Sequence, residues 1–385
     1  MRNDAICDVH AESQWDECVN AWEPVSLRCA VAQQCDTRRA AGGSRKGPGV
    51  KVTIKDIAER ANVSKSTISR VLNNSGPVSD RTRRLVMDTV QELDYRPNEI
   101  ARSLSRGKTH TIGIIMQDIR NPYYANACWY ADRLFERYGF SSIISNADND
   151  PSREDAFLNA MRYRNVEGIL CIGAQEDTSN IVKAVSKTDL PIVLVDSQPT
   201  SEQIDTVGLD NVYGGQLVVD YLLALGHDRI AFLTSDFTSA ERGRKQGYLQ
   251  ALTSRGIPVD PELIVTIDEE SWHRGESPEL LDLLRRSERP TAIFASNDFK
   301  AIRILRLLYR LGVTVPGEIS LVGYDDIDSA SIVIPALTTV HQPIDKMIDI
   351  GAQVLLRRLE GQGEAPEHAI LRPWLVERES ARKLH

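Results

Sequence analysis

Two groups of residues in this 385-residue chain have the types and spacings to do chemistry. The first lies in "VSKSTISRVLNNSGPVS", Val63 to Ser79, a stretch rich in small hydroxyls with two cations and no acid. On a helix that starts after Ser64, the apolar Ile68, Val71 and Leu72 fall on one face, placed to pack on Ile57, Ala58 and Val86. Lys65, Ser66, Ser69, Arg70 and Asn73 then project from the other face. Short hydroxyls let such a face approach a groove closely and donate to phosphates or base edges, an acid would be repelled there, and an arginine can fork onto guanine. A plain solvated surface helix is the alternative for the stretch taken alone. The second group is polar residues that finish apolar runs: Asp118, Asp148, Asp196, Asn297 with Asp298, and Asp325 with Asp326. Acids in such places are commonly turn formers or caps, and a tyrosine pair such as Tyr123 and Tyr124 is commonly core. Several polar ends on one edge of a sheet would instead line a cleft.

The elements that must position the first group are three short helices between Thr53 and Asp94. Thr53 with Asp56 reads as a capping box before "IKDIAERA", Asn62 and Val63 make a turn, Ser64 caps a second helix, and Ser79 caps a third, "DRTRRLVMDTVQELD". Short helix, tight turn and short helix make a helix-turn-helix. Beyond "YRPNEIARSLSRGKT" the pattern changes to eight apolar runs, "TIGIIMQD", "SSIISNAD", "EGILCIGA", "PIVLVDSQ", "RIAFLTSD", "LIVTID", "TAIFASND" and "ISLVGYDD", alternating with helical stretches. Alternation of this kind predicts parallel sheets covered on both faces, as two doubly wound lobes with ligand at the carboxyl ends of the strands.

The chain is 42% hydrophobic and 26% charged, an ordinary globular balance. No window approaches the roughly 18 apolar residues of a membrane helix, and the amino-terminal residues lack the apolar region of a signal peptide, so a cytoplasmic protein is expected. The net charge of −8 is unevenly spread: residues 50–109 hold 12 Lys/Arg against 7 Asp/Glu, and residues 110–385 hold 28 against 40. A small basic head on a large acidic body suits a polyanionic partner. Cys7, Cys18, Cys29 and Cys35 crowd the first 49 residues without the spacing of a zinc site, and Cys128 and Cys171 stand apart, so neither a metal nor a cofactor is expected.

"TIKDIAERANVSKSTISRVLN" and "VSDRTRRLVMDTVQELDYRPNEIARSL" closely resemble the DNA-binding head of the lactose/galactose repressor family. The likeness continues in the family's order through "NPYYA", "ALGHDRIAFL", "RKQGY", "IFASNDFKAI" and "ISLVGYDDIDSASIVIPALTTV", over roughly residues 50–380. It implies an α/β chain with an amino-terminal helix-turn-helix head and two doubly wound parallel-sheet lobes of periplasmic-binding-protein type. The divisions are a disordered or misassigned extension over 1–49, a DNA-binding domain over 50–96, a hinge helix and linker over 97–109, and a two-lobed effector-binding and dimerisation domain over 110–385. By the resemblance, Lys65, Ser66 and Arg70 choose the operator, while Thr67, Ser69, Asn73, Ser79 and Thr82 touch phosphate or base. Lys65 with Ser66 differs from the aromatic-amide pair of the lactose repressor, so a different operator is expected. The hinge helix carries Asn98, Ala101 and Leu104; two copies would enter the minor groove and wedge Leu104 between the central base steps. The run is too short to be stable alone and should order only when docked.

For the cleft, the resemblance matches Arg244 to an arginine that forks onto ligand hydroxyls or anions. Asp196 and Asp325 match carboxylates that accept sugar hydroxyls, Asn297 a further polar contact, Tyr123 and Tyr124 the aromatic wall of the first lobe, and Trp272 a stacking ring. Asp298, His227 and His341 read as structural. Two carboxylates favour a neutral polyol; a sugar acid or phosphate, where Arg244, Lys245 or Arg242 outweighs them, and a nucleobase or other ligand are the alternatives. The whole implies a repressor of carbohydrate-utilisation genes that binds a near-palindromic operator as a dimer and is released by a small sugar-like effector. A helix such as Tyr213–Leu225 is a candidate interface, and the end "LVERESARKLH" lacks the apolar heptads of a tetramer. A nucleotide-using enzyme is the first rival, but neither GxGxxG nor a Walker motif follows any strand, and no Ser-His-acid or His/Cys metal set stands out. An exported sugar-binding protein is the second, and it would have no use for a groove-reading head. Val50 can be a GTG start codon read as methionine, in which case the native protein begins there; its intact mass is expected to lack residues 1–49.

Overall fold

A computed structural model of the chain describes residues 52–72, 75–95, 108–174, 181, 190–198, 202–235, 238–268, 272, 277–363 and 365–384. Residues 1–49, Asn73, and Asn98, Ala101 and Leu104 of the expected hinge lie outside them. The chain divides into two compact units, Met1–Arg96 and Pro97–His385.

The first unit has three helices, α1 (Ile54–Arg60), α2 (Lys65–Leu72) and α3 (Asp80–Glu92). The capping box of α1 is formed in full by Thr53 and Asp56. Asn62 takes the left-handed conformation, φ 50°, which asparagine tolerates better than most residues, and this turns the chain into α2. Ile57, Ala58, Ala61, Ile68, Val71 and Val86 form the small core, with Val52, Leu72 and Tyr95 packed around it. Each of these helices is shorter than an isolated helix needs to be in water, and it is this shared core that holds them.

The second unit is built on a six-stranded sheet and a four-stranded sheet. The six-stranded sheet, order β11-β5-β4-β3-β1-β2, uses β1 (Thr111–Met116), β2 (Ser141–Asn146), β3 (Gly168–Ile172), β4 (Ile192–Val195), β5 (Asp205–Leu209) and β11 (His368–Leu371), and every neighbouring pair is parallel. The four-stranded sheet, order β7-β6-β8-β9, is likewise all parallel, from β6 (Ile230–Thr234), β7 (Ile264–Thr266), β8 (Ala292–Ala295) and β9 (Ser320–Val322). The inner strands are buried along their whole length, as helices on both faces of a parallel sheet require. Among the described residues the α-helices are α4 (Pro122–Arg137), α5 (Pro151–Tyr163), α6 (Asn211–Ala224), α7 (Ser239–Ser254), α8 (Pro278–Leu284), α9 (Asp298–Arg310) and α10 (Ile344–Leu359).

All eight apolar runs are strands. Four further strands carried no such run. β5 opens on an acid and contains Gly208, and its Asp205 accepts from Arg358 Nη2 at 2.8 Å and from Arg358 Nε at 2.9 Å. β10 (Thr339–His341), β11 and β12 (Trp374–Val376) are three or four residues long. The chain leaves the six-stranded lobe after β5 for α6, returns from β10 to α10, and leaves again from β11 to β12. β10 and β12 pair antiparallel, His341 opposite Trp374.

α6 and α7 lie very close together because glycines meet at their crossing. A Cβ on Gly215 would run into the backbone carbonyl of Arg244, and one on Gly247 into that of Val212. A Cβ on Gly214 would strike the Tyr324 hydroxyl. Gly215→Ala is therefore expected to cost about 1–3 kcal/mol by overpacking and to displace Arg244. A lowered unfolding midpoint in a denaturant titration checks the first effect, and loss of ligand affinity the second.

Candidate functional site

In the head, α2 is capped by Ser64, whose Oγ accepts from the Thr67 backbone N–H at 3.1 Å. The same oxygen lies 2.7 Å from Ser66 Oγ and 2.8 Å from Thr67 Oγ1. Lys65, Ser66, Ser69 and Arg70 are exposed and Thr67 is half-buried, while Ile68 and Val71 are buried on the opposite side. Ser79 is exposed and caps α3 by accepting from the Thr82 N–H at 3.3 Å, with the half-buried Thr82 hydroxyl 2.9 Å away. Several of the hydroxyls that the sequence nominated for DNA therefore also hold helix starts. α2 contains no acid, and an acid-free cationic face of this shape suits a phosphate-lined groove.

In the second unit, Tyr123, Tyr124, Asp196, Arg244, Trp272, Asn297 and Asp325 all line a single cleft. It encloses about 640 Å³ of space, its open mouth included. The local structure explains their convergence. Asn121 caps α4 by accepting from Tyr123 N–H, and Pro122 starts the helix, which sets the two tyrosines in its first turn with rings edge to face at 5.3 Å. Asp196 follows β4 at φ 55° and Asp325 follows β9 at φ 120°, both conformations uncommon outside glycine. Asn297 follows β8 and caps α9 by accepting from Lys300 N–H at 2.8 Å. Trp272 packs in the apolar cluster of the four-stranded lobe, its carbonyl accepting from Arg303.

Arg244, on α7, is 3% exposed. Its Nε donates to Asn211 Oδ1 at 2.9 Å, its Nη1 to the Ser296 carbonyl at 2.6 Å and, at 3.4 Å, to Asp325, and its guanidinium lies 3.7 Å over the Tyr324 ring. Gln342 donates to Asp325 at 2.6 Å and accepts from the Tyr123 hydroxyl at 3.3 Å. Burial pushes the Asp196 carboxyl up to about 6 against the pull of Arg244. Burial likewise raises Asp325 to about 7, with Arg244 opposing and Asp196 adding to the rise. Asp196 Oδ1 and Trp272 Nε1 are buried with no hydrogen-bond partner among the described residues, the condition of groups shaped for a ligand. Asp298 faces away from this role: it accepts from Thr339 Oγ1 at 2.6 Å and from Ile327 N–H at 3.0 Å and pins the loop that carries Asp325.

Glu241, Lys300 and Gln342 also line the cleft and were missed from the sequence. Lys300 Nζ lies 2.7 Å from Glu241 Oε1, both side chains nearly sealed from solvent. Glu241 precedes Arg244 by three residues on one helix face, and Lys300 follows Asn297 by three, so helical periodicity from the nominated residues could have found both. Gln342 sits past a short strand with no pattern to mark it.

A helix-turn-helix head on one chain with a two-lobed α/β unit around a polar cleft is the architecture of a DNA-binding regulator with a ligand-binding body. The family model "Bacterial regulatory proteins, lacI family" matches residues 53–98, and "Periplasmic binding protein-like domain" matches residues 219–381. The chain is 33% identical over 340 residues to the HTH-type transcriptional regulator DegA of Bacillus subtilis (strain 168), covering 87% of this chain and all of that one. It is 34% identical over 334 residues to the ribose operon repressor of Escherichia coli (strain K12), covering 86% and 99%. The structure of the Lac repressor dimer bound to operator and the anti-inducer ONPF is similar to it at a TM-score of 0.75, with 25% identity over 86% of this chain and 100% of that one. The chain therefore belongs to the lacI family of bacterial regulatory proteins and is a DNA-binding transcriptional regulator.

The raised carboxyls have a consequence for stability. A carboxyl whose folded pKa lies above its unfolded value of about 3.9 stabilises the fold below that value and loses this contribution as pH rises through the folded pKa. Asp196 and Asp325 thus make the ligand-free protein less stable between about pH 4 and pH 7. Asp196→Asn, which tolerates the left-handed backbone, is expected to raise the melting temperature at pH 7.5 by several degrees, roughly 2–4 °C per kcal/mol recovered, and to change it little at pH 4.5. Differential scanning calorimetry at the two pH values checks this.

Proposed function

We propose that this protein is a cytoplasmic, non-enzymatic repressor of carbohydrate-utilisation genes, binding a near-palindromic operator as a dimer and switched by a small sugar-like effector in the cleft. The observation that carries the reading is the convergence of Tyr123, Tyr124, Asp196, Arg244, Trp272, Asn297 and Asp325 on one cleft, in a chain whose head presents Lys65, Ser66 and Arg70. Carboxylates, amides and an arginine beside aromatic rings match the hydroxyls and apolar faces of a sugar. A relative is named for the ribose operon. Lys65, Ser66, Thr67, Ser69, Arg70, Asn73, Ser79 and Thr82 are proposed for the operator, with Asn98, Ala101 and Leu104 in a hinge over 97–109.

For the dimer, the support is exposed apolar surface together with the similarity to the structure of the Lac repressor dimer. Ile334 and Tyr309 are 92% and 83% exposed and line a groove beside α9, and Ile332, 74% exposed, lies nearby in sequence. α6, the sequence's candidate, buries Gly214, Gly215, Val218, Val219 and Leu222 within its own lobe and leaves Leu217, Tyr221 and Leu223 half-buried. Linkage then ties the two ligands: the factor by which effector weakens operator binding equals the factor by which operator weakens effector binding.

The test is operator affinity by fluorescence anisotropy on duplexes selected from a random pool, with and without candidate sugars. Arg70→Ala is expected to cost about 1–3 kcal/mol of affinity and to relax preference at one base pair. A uniform loss across all sequences would make Arg70 a phosphate contact, and absence of any duplex preference in the wild type would overturn the function.

A further inference from the structure

The floor of the cleft has the makings of an anion site. α7 and α9 both begin at it: Thr238 caps the one and Asn297 the other, and both caps line the cleft. Two helix amino termini direct backbone N–H groups and the positive ends of their dipoles to their starts. Lys300, in the first turn of α9, adds a full positive charge. Ser235 and Ser296, at the carboxyl ends of β6 and β8, add hydroxyl donors.

An anion already occupies this place, and it belongs to the protein. Glu241, in the first turn of α7, takes Lys300 Nζ at 2.7 Å and Ser296 Oγ at 2.7 Å on Oε1, and Ser235 Oγ at 2.9 Å on Oε2. The carboxylate is 4% exposed. Burial works to raise its pKa, yet the charge and hydrogen bonds of Lys300, with those of the two serines, hold it down to about 2, so it is ionised at any physiological pH. The other cation of the cleft, Arg244, already faces Asp325. Asp196 adds a further carboxyl on the opposite wall, with Oδ1 unpartnered among the described residues.

We propose that Glu241 sets the charge of the ligand: by filling a ready-made phosphate site with its own carboxylate, it makes the cleft select an uncharged polyhydroxyl compound and reject that compound's phosphate ester or acid. This rests on the effector-cleft reading above and names the ligand class within it. A buried anionic group on the ligand would meet cations already paired with Glu241 and Asp325, with the Asp196 carboxyl beside them. The ligand therefore belongs upstream of any phosphorylating step, supplied by import or by hydrolysis of a glycoside.

The test is isothermal titration calorimetry on the full-length wild type and on Glu241→Gln, with inorganic phosphate, D-ribose, D-xylose and D-glucose, and the 5- or 6-phosphates of the sugars. Wild type is expected to show no heat with millimolar phosphate and to bind whichever free sugar it accepts at least about tenfold more tightly than its phosphate ester. Glu241→Gln should acquire phosphate binding and narrow that gap by about tenfold. Glu241→Thr, with a smaller hydroxyl acceptor, serves if Glu241→Gln does not fold. Wild type that prefers a phosphate ester, or variants that leave the discrimination intact, overturn the proposal. If wild type binds no sugar of the panel while Glu241→Gln gains phosphate binding, the role of Glu241 stands and the sugar reading of the cleft fails instead.

Discussion

A guanidinium shut away from water is among the costlier things a fold can contain, and Arg244 shows how the four-stranded lobe is arranged around one. Its partners come from separate places in the chain: Asn211 on α6, the Ser296 carbonyl at the end of β8, Asp325 after β9, and the Tyr324 ring beneath it. None of these is near it in sequence. They meet only because α6 and α7 cross on glycines, which lets the backbone of residue 244 sit against Gly215. Breaking such a set by removing one member leaves an uncompensated charge, which typically costs several kcal/mol. The cleft's geometry is thus a by-product of satisfying one buried cation.

That dependence on long-range partners also marks where the sequence was legible. The inner strands announce themselves because both faces are covered, so they must be apolar throughout; β3, β4, β6 and β8 could hardly be anything else. β5 is also wholly buried, but it begins on Asp205, whose charge is met by Arg358 from 153 residues away. No local pattern can display such a pairing. Likewise the strand-end acids Asp196 and Asp325 stood out as polar breaks in apolar runs, whereas Glu241 and Lys300, 59 residues apart, look like ordinary surface charges on their helices until the fold buries them together. The family motifs led to the seven nominated cleft residues and did not single out Glu241 or Lys300.

The head is legible for the opposite reason: its interactions are local. The capping box at Thr53, the hydroxyl cap at Ser64 and the cap at Ser79 span three residues each. The same economy gives α2 two duties. Its hydroxyls stabilise the helix start through Ser64, and the exposed side presents cations with no acid among them. Eight residues of helix would be marginal alone, so Ile68 and Val71 must hold the element while the opposite face stays free of apolar side chains.

The pair Asp325 and Asp326 shows how the cleft is joined to the strands that cross between the lobes. Both residues have positive φ, 120° and 58°, so the backbone reverses there and neighbouring carboxylates serve different partners. Asp325 meets Gln342 and Arg244 in the cleft. Asp326 meets His341 on β10 at 2.7 Å and Arg378 just past β12 at 2.6 Å, and His341 stacks on Trp374 of β12 at 4.2 Å. Two consecutive residues of the Asp325 loop are therefore matched by two consecutive residues at the β10 crossing, one pair in the cleft and one on the crossing strands. A ligand that engages Asp325 must compete with or pull on this double attachment. Cleft and crossing strands are thus attached to the same loop, the one through Asp325 and the other through Asp326.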